Sequence, residues 1–242
     1  MVTYWILLIL ISFAAGVMHT LAGFGNGLVM MMVFPYLMPI AEAAAVNCIV
    51  GGVLSGTLLW RYRKSLRPRF VLLTLIPYLI SSIVMLHFVK DIGTRTMALL
   101  FGAFLTILGI YYLTFSEKAR MPINPFTLVV CPVASGLSSA MFGIGGPLMS
   151  LLYLEKFKTR EEYTVSLQLL FFVAAVVNTV TRAANGIITA SVIPTVLVGT
   201  AAVLAGEQVG IHLAGRMKPE TLRKFVFIMI LVSGIVMIVN NR

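Results

Sequence analysis

Two glycine-rich segments, Gly23-Phe24-Gly25-Asn26-Gly27 and Gly143-Ile144-Gly145-Gly146-Pro147, hold the residues best suited to chemistry in this chain. Each packs three glycines into five positions, and a helix interior loses about 1 kcal/mol per glycine relative to alanine. Both segments therefore read as helix breaks, where glycine can take positive φ and leave amides uncovered. Pro147 suits the first turn of a new helix, where its missing N–H would have had no partner anyway. The pattern predicts a helix restarting at 147 and, by analogy, at 27. A helix N-terminus offers bare N–H groups and about half a positive charge. At membrane depth that is an anion site needing no buried Lys or Arg. The other reading is that these glycines only let helices pack closely. Neither segment is a nucleotide-binding loop, because no GK[ST] follows and no strand precedes.

Polar residues near the breaks extend the candidate site. His19 lies four residues before Gly23 and could donate to an anion, carry a proton, or make an interhelical hydrogen bond. Ser138 and Ser139 hold nearly the same place before Gly143. Asn47, Gln168 and Asn178 are amides within apolar runs, so each needs a partner and serves either as helix glue or as a ligand contact. The candidate substrate-binding set is thus His19, Gly23, Gly25, Asn26, Gly27, Asn47, Ser138, Ser139, Gly143, Gly145, Gly146, Gln168 and Asn178. Arg182 reads as a span-end anchor reaching headgroups, with attraction of an anion as its alternative. Glu207, Gln208 and His212 read as interfacial. No Asp or Glu lies mid-span near the breaks, which argues against a metal or Na⁺ site. No Ser-His-Asp or Cys-His set shares a depth, so no catalytic residues and no cofactor are expected.

These residues must be positioned by helices in lipid. The chain has 242 residues, 60% of them hydrophobic and 11% charged, with mean hydropathy +1.01. Soluble domains are about half apolar and about a quarter charged. At roughly 20 residues per crossing there is room for roughly six to eight spans and no soluble domain. Backbone groups in lipid must be satisfied within the segment, so the spans are helical. The run from Tyr4 to Gly16 has no preceding Lys or Arg and reads as a retained span rather than a cleaved leader. Cys48 and Cys131 read as packing residues. The basic residues behind the +10 charge sit in short loops, which indicates topology and headgroup contact rather than nucleic acid.

An offset of 120 residues places Gly16 on Gly136, Gly23 on Gly143, Gly25 on Gly145 and Leu28 on Leu148. The chain therefore reads as an all-α polytopic membrane protein of two duplicated halves, 1–120 and 121–242, with about eight transmembrane segments. Each half opens with a Gly-broken helix, either re-entrant or kinked. If each break lay inside one continuous crossing, the 18 Lys and Arg would divide nine to nine. If each break is a hairpin tip, the halves are inverted and the division is 14 inside to four outside. The second follows the positive-inside rule and is the expectation, with both termini outside.

These features resemble the TauE/SafE-type sulfite exporters. FGIGGPLMSLLYL is similar to the family's FGIGGG-x-hydrophobic motif, and TVSLQLLFFVAAVVNTVTRAANGII to its polar-started span ending in Asn and a glycine turn. AGEQVGIHLAGRMKPETLRKF is similar to its glycine-spaced hinge. The first half departs from the pattern, with GFGNG for GxGGG, so Asn26 stands where the family has glycine and could alter substrate choice. The resemblance implies transport of small sulfur-containing anions or related organic acids across a bacterial or archaeal plasma membrane. The expected function is a secondary transporter for a small oxyanion, without catalysis. Its alternatives are a non-transporting assembly subunit and a cation or metal carrier. The expected partners are that anion and the bilayer, and the sequence leaves homo-oligomerisation open.

Overall fold

The computed structural model describes residues 2–115, 122–213 and 219–241. Among them are ten α-helices: α1 Val2–Ala22, α2 Asn26–Val33, α3 Ile40–Tyr62, α4 Pro68–Val89, α5 Thr94–Phe115, α6 Pro125–Phe142, α7 Gly146–Lys156, α8 Arg160–Ala184, α9 Ile193–Leu213 and α10 Pro219–Asn240. Lys118, Arg120, Arg216, Lys218 and Arg242, all counted in the charge division, lie outside the described residues. Seven helices among those described are long and apolar enough to cross a membrane: α1, α3, α4, α5, α6, α8 and α9. Shorter apolar stretches occupy Asn26–Tyr36 and Ile230–Asn240. The protein is a multi-pass membrane protein. Its outer faces agree, since Leu72, Ile76, Ile80 and Val84 form an exposed apolar stripe at one-turn spacing on α4.

Helix boundaries follow local chemistry. α6 begins at a capping box in which Asn124 accepts from Thr127 N–H and Thr127 Oγ1 accepts from Asn124 N–H, with Pro125 in the first turn. α8 begins where the Thr159 hydroxyl accepts from Glu162 N–H. α2 and α7 start at positions 26 and 146, and α3 and α8 at 40 and 160, so both pairs keep the 120-residue offset. At 1.5 Å per residue, α2 and α7 are only about 12 and 16 Å long, roughly half a hydrocarbon core, whereas α1 and α6 approach its full depth.

The packing repeats in the same way. α1 lies along α9 and α6 along α4, while α3 packs on α8 and α5 on α10. Shifting by half the chain exchanges the first two pairings and returns the last two to themselves. Side chains give the directions. Cys48 meets Thr179, Gly52 meets Ala175 and Gly56 meets Phe172, so α3 and α8 are antiparallel. Gly102 meets Ile238, Thr106 meets Gly234 and Gly109 meets Leu231, so α5 and α10 are antiparallel too. Tyr4 with Thr195, Ser12 with Gly199 and Gly16 with Val203 make α1 and α9 parallel. Arg67 pairs with Glu162 at 3.1 Å, bringing the α3–α4 and α7–α8 connections together on one side.

Gly16 and Gly136 serve these seams. A Cβ on Gly16 would overlap the Val203 carbonyl, and one on Gly136 the Tyr78 carbonyl. For these two positions the close-packing reading of glycine applies.

Candidate functional site

Each break is built from the same parts. Gly23 N–H donates to His19 O at 2.7 Å and Gly143 N–H to Ser139 O at 2.9 Å, closing α1 and α6. Both glycines take left-handed φ, 79° and 69°, which a side chain would resist. The next helices start at Asn26 and Gly146, one residue earlier than the expected 27 and 147. Pro147 still lies in the first turn, where an N–H has no intrahelical partner. In α2 the first helical hydrogen bond is Val29 N–H to Gly25 O, at 3.0 Å, so the amides of Asn26, Gly27 and Leu28 come before the ladder.

The two breaks touch. A Cβ on Gly27 would lie 2.7 Å from Gly143 O, and one on Gly146 would lie 3.2 Å from Phe24 Cβ. Each is clasped by an amide from the opposite half. Asn47 Nδ2 on α3 donates to Gly143 O at 2.8 Å, and Gln168 Nε2 on α8 donates to Gly23 O at 2.9 Å. The two accepting carbonyls are equivalent under the 120-residue offset. Each clasp has its own support: Asn26 Nδ2 donates to Asn47 Oδ1 at 2.7 Å, and His19 Nε2 lies 3.0 Å from Gln168 Oε1.

Between the breaks lies a cavity of about 80 Å³. His19, Gly25, Asn26, Gly27 and Asn47 line it from the first half. Ser139, Gly143, Gly145 and Gly146 line it from the second. Its far wall is the middle of α3 and α8, at Gly51, Gly52, Phe171 and Ala174. No Asp, Glu, Lys or Arg borders it. Among the described residues no three His, Cys, Asp or Glu side chains gather closely enough to hold a metal.

Four of the expected residues stand outside this wall. Gly23 and Gln168 form one clasp behind it. Asn178 sits behind Ser139, donating to its hydroxyl at 3.3 Å and accepting from Ser82 Oγ at 2.8 Å. Ser138 turns away: it donates to Ile144 O at 2.7 Å and borders a separate apolar pocket with Phe104 and Leu108. Adjacent helical residues point about 100° apart, so Ser138 and Ser139 do not share a ligand-facing direction.

Two expectations are corrected. Arg182 is not a headgroup anchor but is fully buried, 0% exposed, with its guanidinium donating to Ser139 O and Ala140 O at the α6 C-terminus. The partial negative charge and orphan carbonyls of that helix end attract it. Glu207 is likewise buried against α3 rather than exposed, with both carboxylate oxygens 2.9 Å from the single hydroxyl of Thr57. Gln208 and His212 are exposed at the end of α9.

Sequence reasoning missed Phe24, Cys48, Tyr78 and Phe171 as wall residues. Cys48 sits beside Asn47, and that adjacency was the available signal. Tyr78 had none in its apolar run, yet a Cβ on Gly145 would overlap its hydroxyl.

A model of the sulfite exporter TauE/SafE family matches residues 8–237. The chain belongs to that family. It is also 25% identical over 214 residues, covering 86% of this chain and 84% of the relative, to a probable sulfite/organosulfonate exporter TauE from Cupriavidus necator. No solved structure matches it. The match covers both breaks and all but the ends of the chain, so the family resemblance extends well beyond the motifs.

Proposed function

We propose that the protein is a secondary transporter that moves a small sulfur-containing or carboxylic oxyanion across the cell membrane, binding it between the two breaks. One observation carries this reading: the N-terminal turns of α2 and α7 converge on a single cavity that no carboxylate borders. Uncovered amides and two positive helix ends favour a negative guest there, and low dielectric strengthens that preference. The size agrees. A water takes on the order of 10–15 Å³ of such space, so about 80 Å³ suits a small oxyanion of roughly half a dozen heavy atoms at most. The name of the Cupriavidus relative supports export of sulfite or an organosulfonate.

Inverted halves complete the reading. They are supported by the antiparallel course of α3 against α8 and of α5 against α10, and by the meeting of Arg67 with Glu162 on one side. Inversion places the clasps symmetrically about one central site, and the cavity against the middles of α3 and α8 lies near mid-bilayer. Rocking one half against the other would then expose the site alternately to either side.

The test is flux of labelled sulfite and short sulfonates in proteoliposomes. Gly25→Leu combined with Gly145→Leu fills the cavity from both breaks and is expected to abolish flux, with folding verified by monodisperse elution. Undiminished flux in the folded double variant would overturn the site.

A further inference from the structure

The clasps fix the polarity of four side chains, and with it the chemistry that the cavity asks of its guest. A backbone carbonyl only accepts, so the Asn47 atom 2.8 Å from Gly143 O must be Nδ2. Asn47 Oδ1 then faces Asn26, which must donate across the 2.7 Å contact with its own Nδ2. That leaves Asn26 Oδ1 as a buried acceptor with no hydrogen-bond partner. The second clasp repeats the logic. Gln168 Nε2 must donate to Gly23 O, so Gln168 Oε1 accepts, and the His19 Nε2 opposite it at 3.0 Å must carry the ring proton. In the neutral imidazole Nδ1 is then an acceptor, and it too is buried without a partner. Asn26 is 4% exposed and His19 3%, and both line the cavity.

The cavity therefore presents two kinds of group. Helix N-termini offer donors, which match negative oxygens. Asn26 Oδ1 and His19 Nδ1 offer acceptors, which a bare oxyanion leaves unsatisfied or repels. We propose that the preferred substrate carries a hydrogen-bond donor as well as its negative charge, and that Asn26 Oδ1 receives that donor, with His19 Nδ1 the other open acceptor of the wall. The matching class is a monoprotonated oxyanion such as hydrogen sulfite, or a short sulfonate bearing a hydroxyl. The inference rests on the anion-site reading above. Protonation of His19 would turn its Nδ1 into a donor, but Asn26 Oδ1 accepts in either case, so Asn26 is the residue to vary.

Hydroxymethanesulfonate and ethanesulfonate make the test, because they differ by a hydroxyl in place of a methyl at nearly constant shape and charge. Their dissociation constants are measured by calorimetric titration of the purified full-length protein. The wild type is expected to bind the hydroxyl compound about tenfold more tightly or better, as for a buried acceptor left unpaired by the other ligand. Asn26→Gly is expected to bring the two constants within about twofold of each other. Equal wild-type binding of both anions overturns the donor requirement alone, and that comparison stands even if the variant does not fold. A preference that survives unchanged in folded Asn26→Gly overturns the assignment to Asn26. Binding of neither anion overturns the anion site itself.

Discussion

Of the two amides that hold the breaks together, Asn47 lines the cavity and Gln168 stands behind its wall. Asn47 and Gln168 each spend an amide on a backbone carbonyl of the opposite half, and so fix how closely the two breaks approach. Leucine at either position would leave that carbonyl without its partner in a dry interior, a loss of about 1–3 kcal/mol. Asn47→Leu and Gln168→Leu are each expected to lower the thermal unfolding midpoint and to reduce anion flux at least tenfold, because the carbonyls and amides no longer hold the cavity's shape. A variant that lost stability but transported normally would show the clasps to be glue alone. Both amides were legible as residues needing partners. Which carbonyls they reach was not, since those lie 96 and 145 positions away in the chain.

At the level of elements, the glycines divide into two groups that composition could not separate. Gly23 and Gly143 end helices in a left-handed conformation, while Gly16, Gly136 and Gly206 let one helix backbone lie against another. Gly206 faces the Phe13 carbonyl across the α1–α9 seam, and its Cβ would overlap that oxygen. Gly206→Leu is therefore expected to reduce the yield of monodisperse protein severely. Where folded protein is recovered, its order of preference among anions should match the wild type, since neither Gly206 nor Phe13 lines the cavity between the breaks. A changed anion preference measured by competition would place Gly206 in the site instead. Arg182 belongs to this scale as well: it joins the end of α8 to the end of α6 through two carbonyls. Sequence spacing put it at a span terminus and so suggested a headgroup contact, because the helix end it meets comes from a different part of the chain.

At the scale of the whole molecule, the helix contacts follow the 120-residue offset. A shift of 120 residues exchanges the α1–α9 and α4–α6 contacts, and residues before and after position 120 each supply one break and one clasping amide to the cavity. If the halves are inverted, the exposed positions Lys64 and Lys158 share the inner side, and Gly93 and Gly186 share the outer. In a background without Cys48 and Cys131, Gly93→Cys and Gly186→Cys are expected to react with a membrane-impermeant maleimide in intact cells. Lys64→Cys and Lys158→Cys are expected to react only after permeabilisation. Labelling of Lys64→Cys and Lys158→Cys from opposite sides would be incompatible with a shared inner face and would restore the parallel arrangement.

Composition, apolar run lengths and the 120-residue offset were enough to determine an all-helical membrane protein with two Gly-broken segments, because lipid leaves the backbone no alternative to helices and glycine clusters resist them. They also sufficed to nominate His19, Asn26, Asn47 and Ser139, since polar groups in lipid must have a use. Only the tertiary structure decided that the breaks meet, that Tyr78 and Phe171 complete the wall, and that Ser138 and Asn178 stand outside it. The reason is physical. Burial and hydrogen-bond need are local properties that a residue type announces, whereas the partner and the direction of a side chain depend on helix rotation and on contacts with segments distant in the chain.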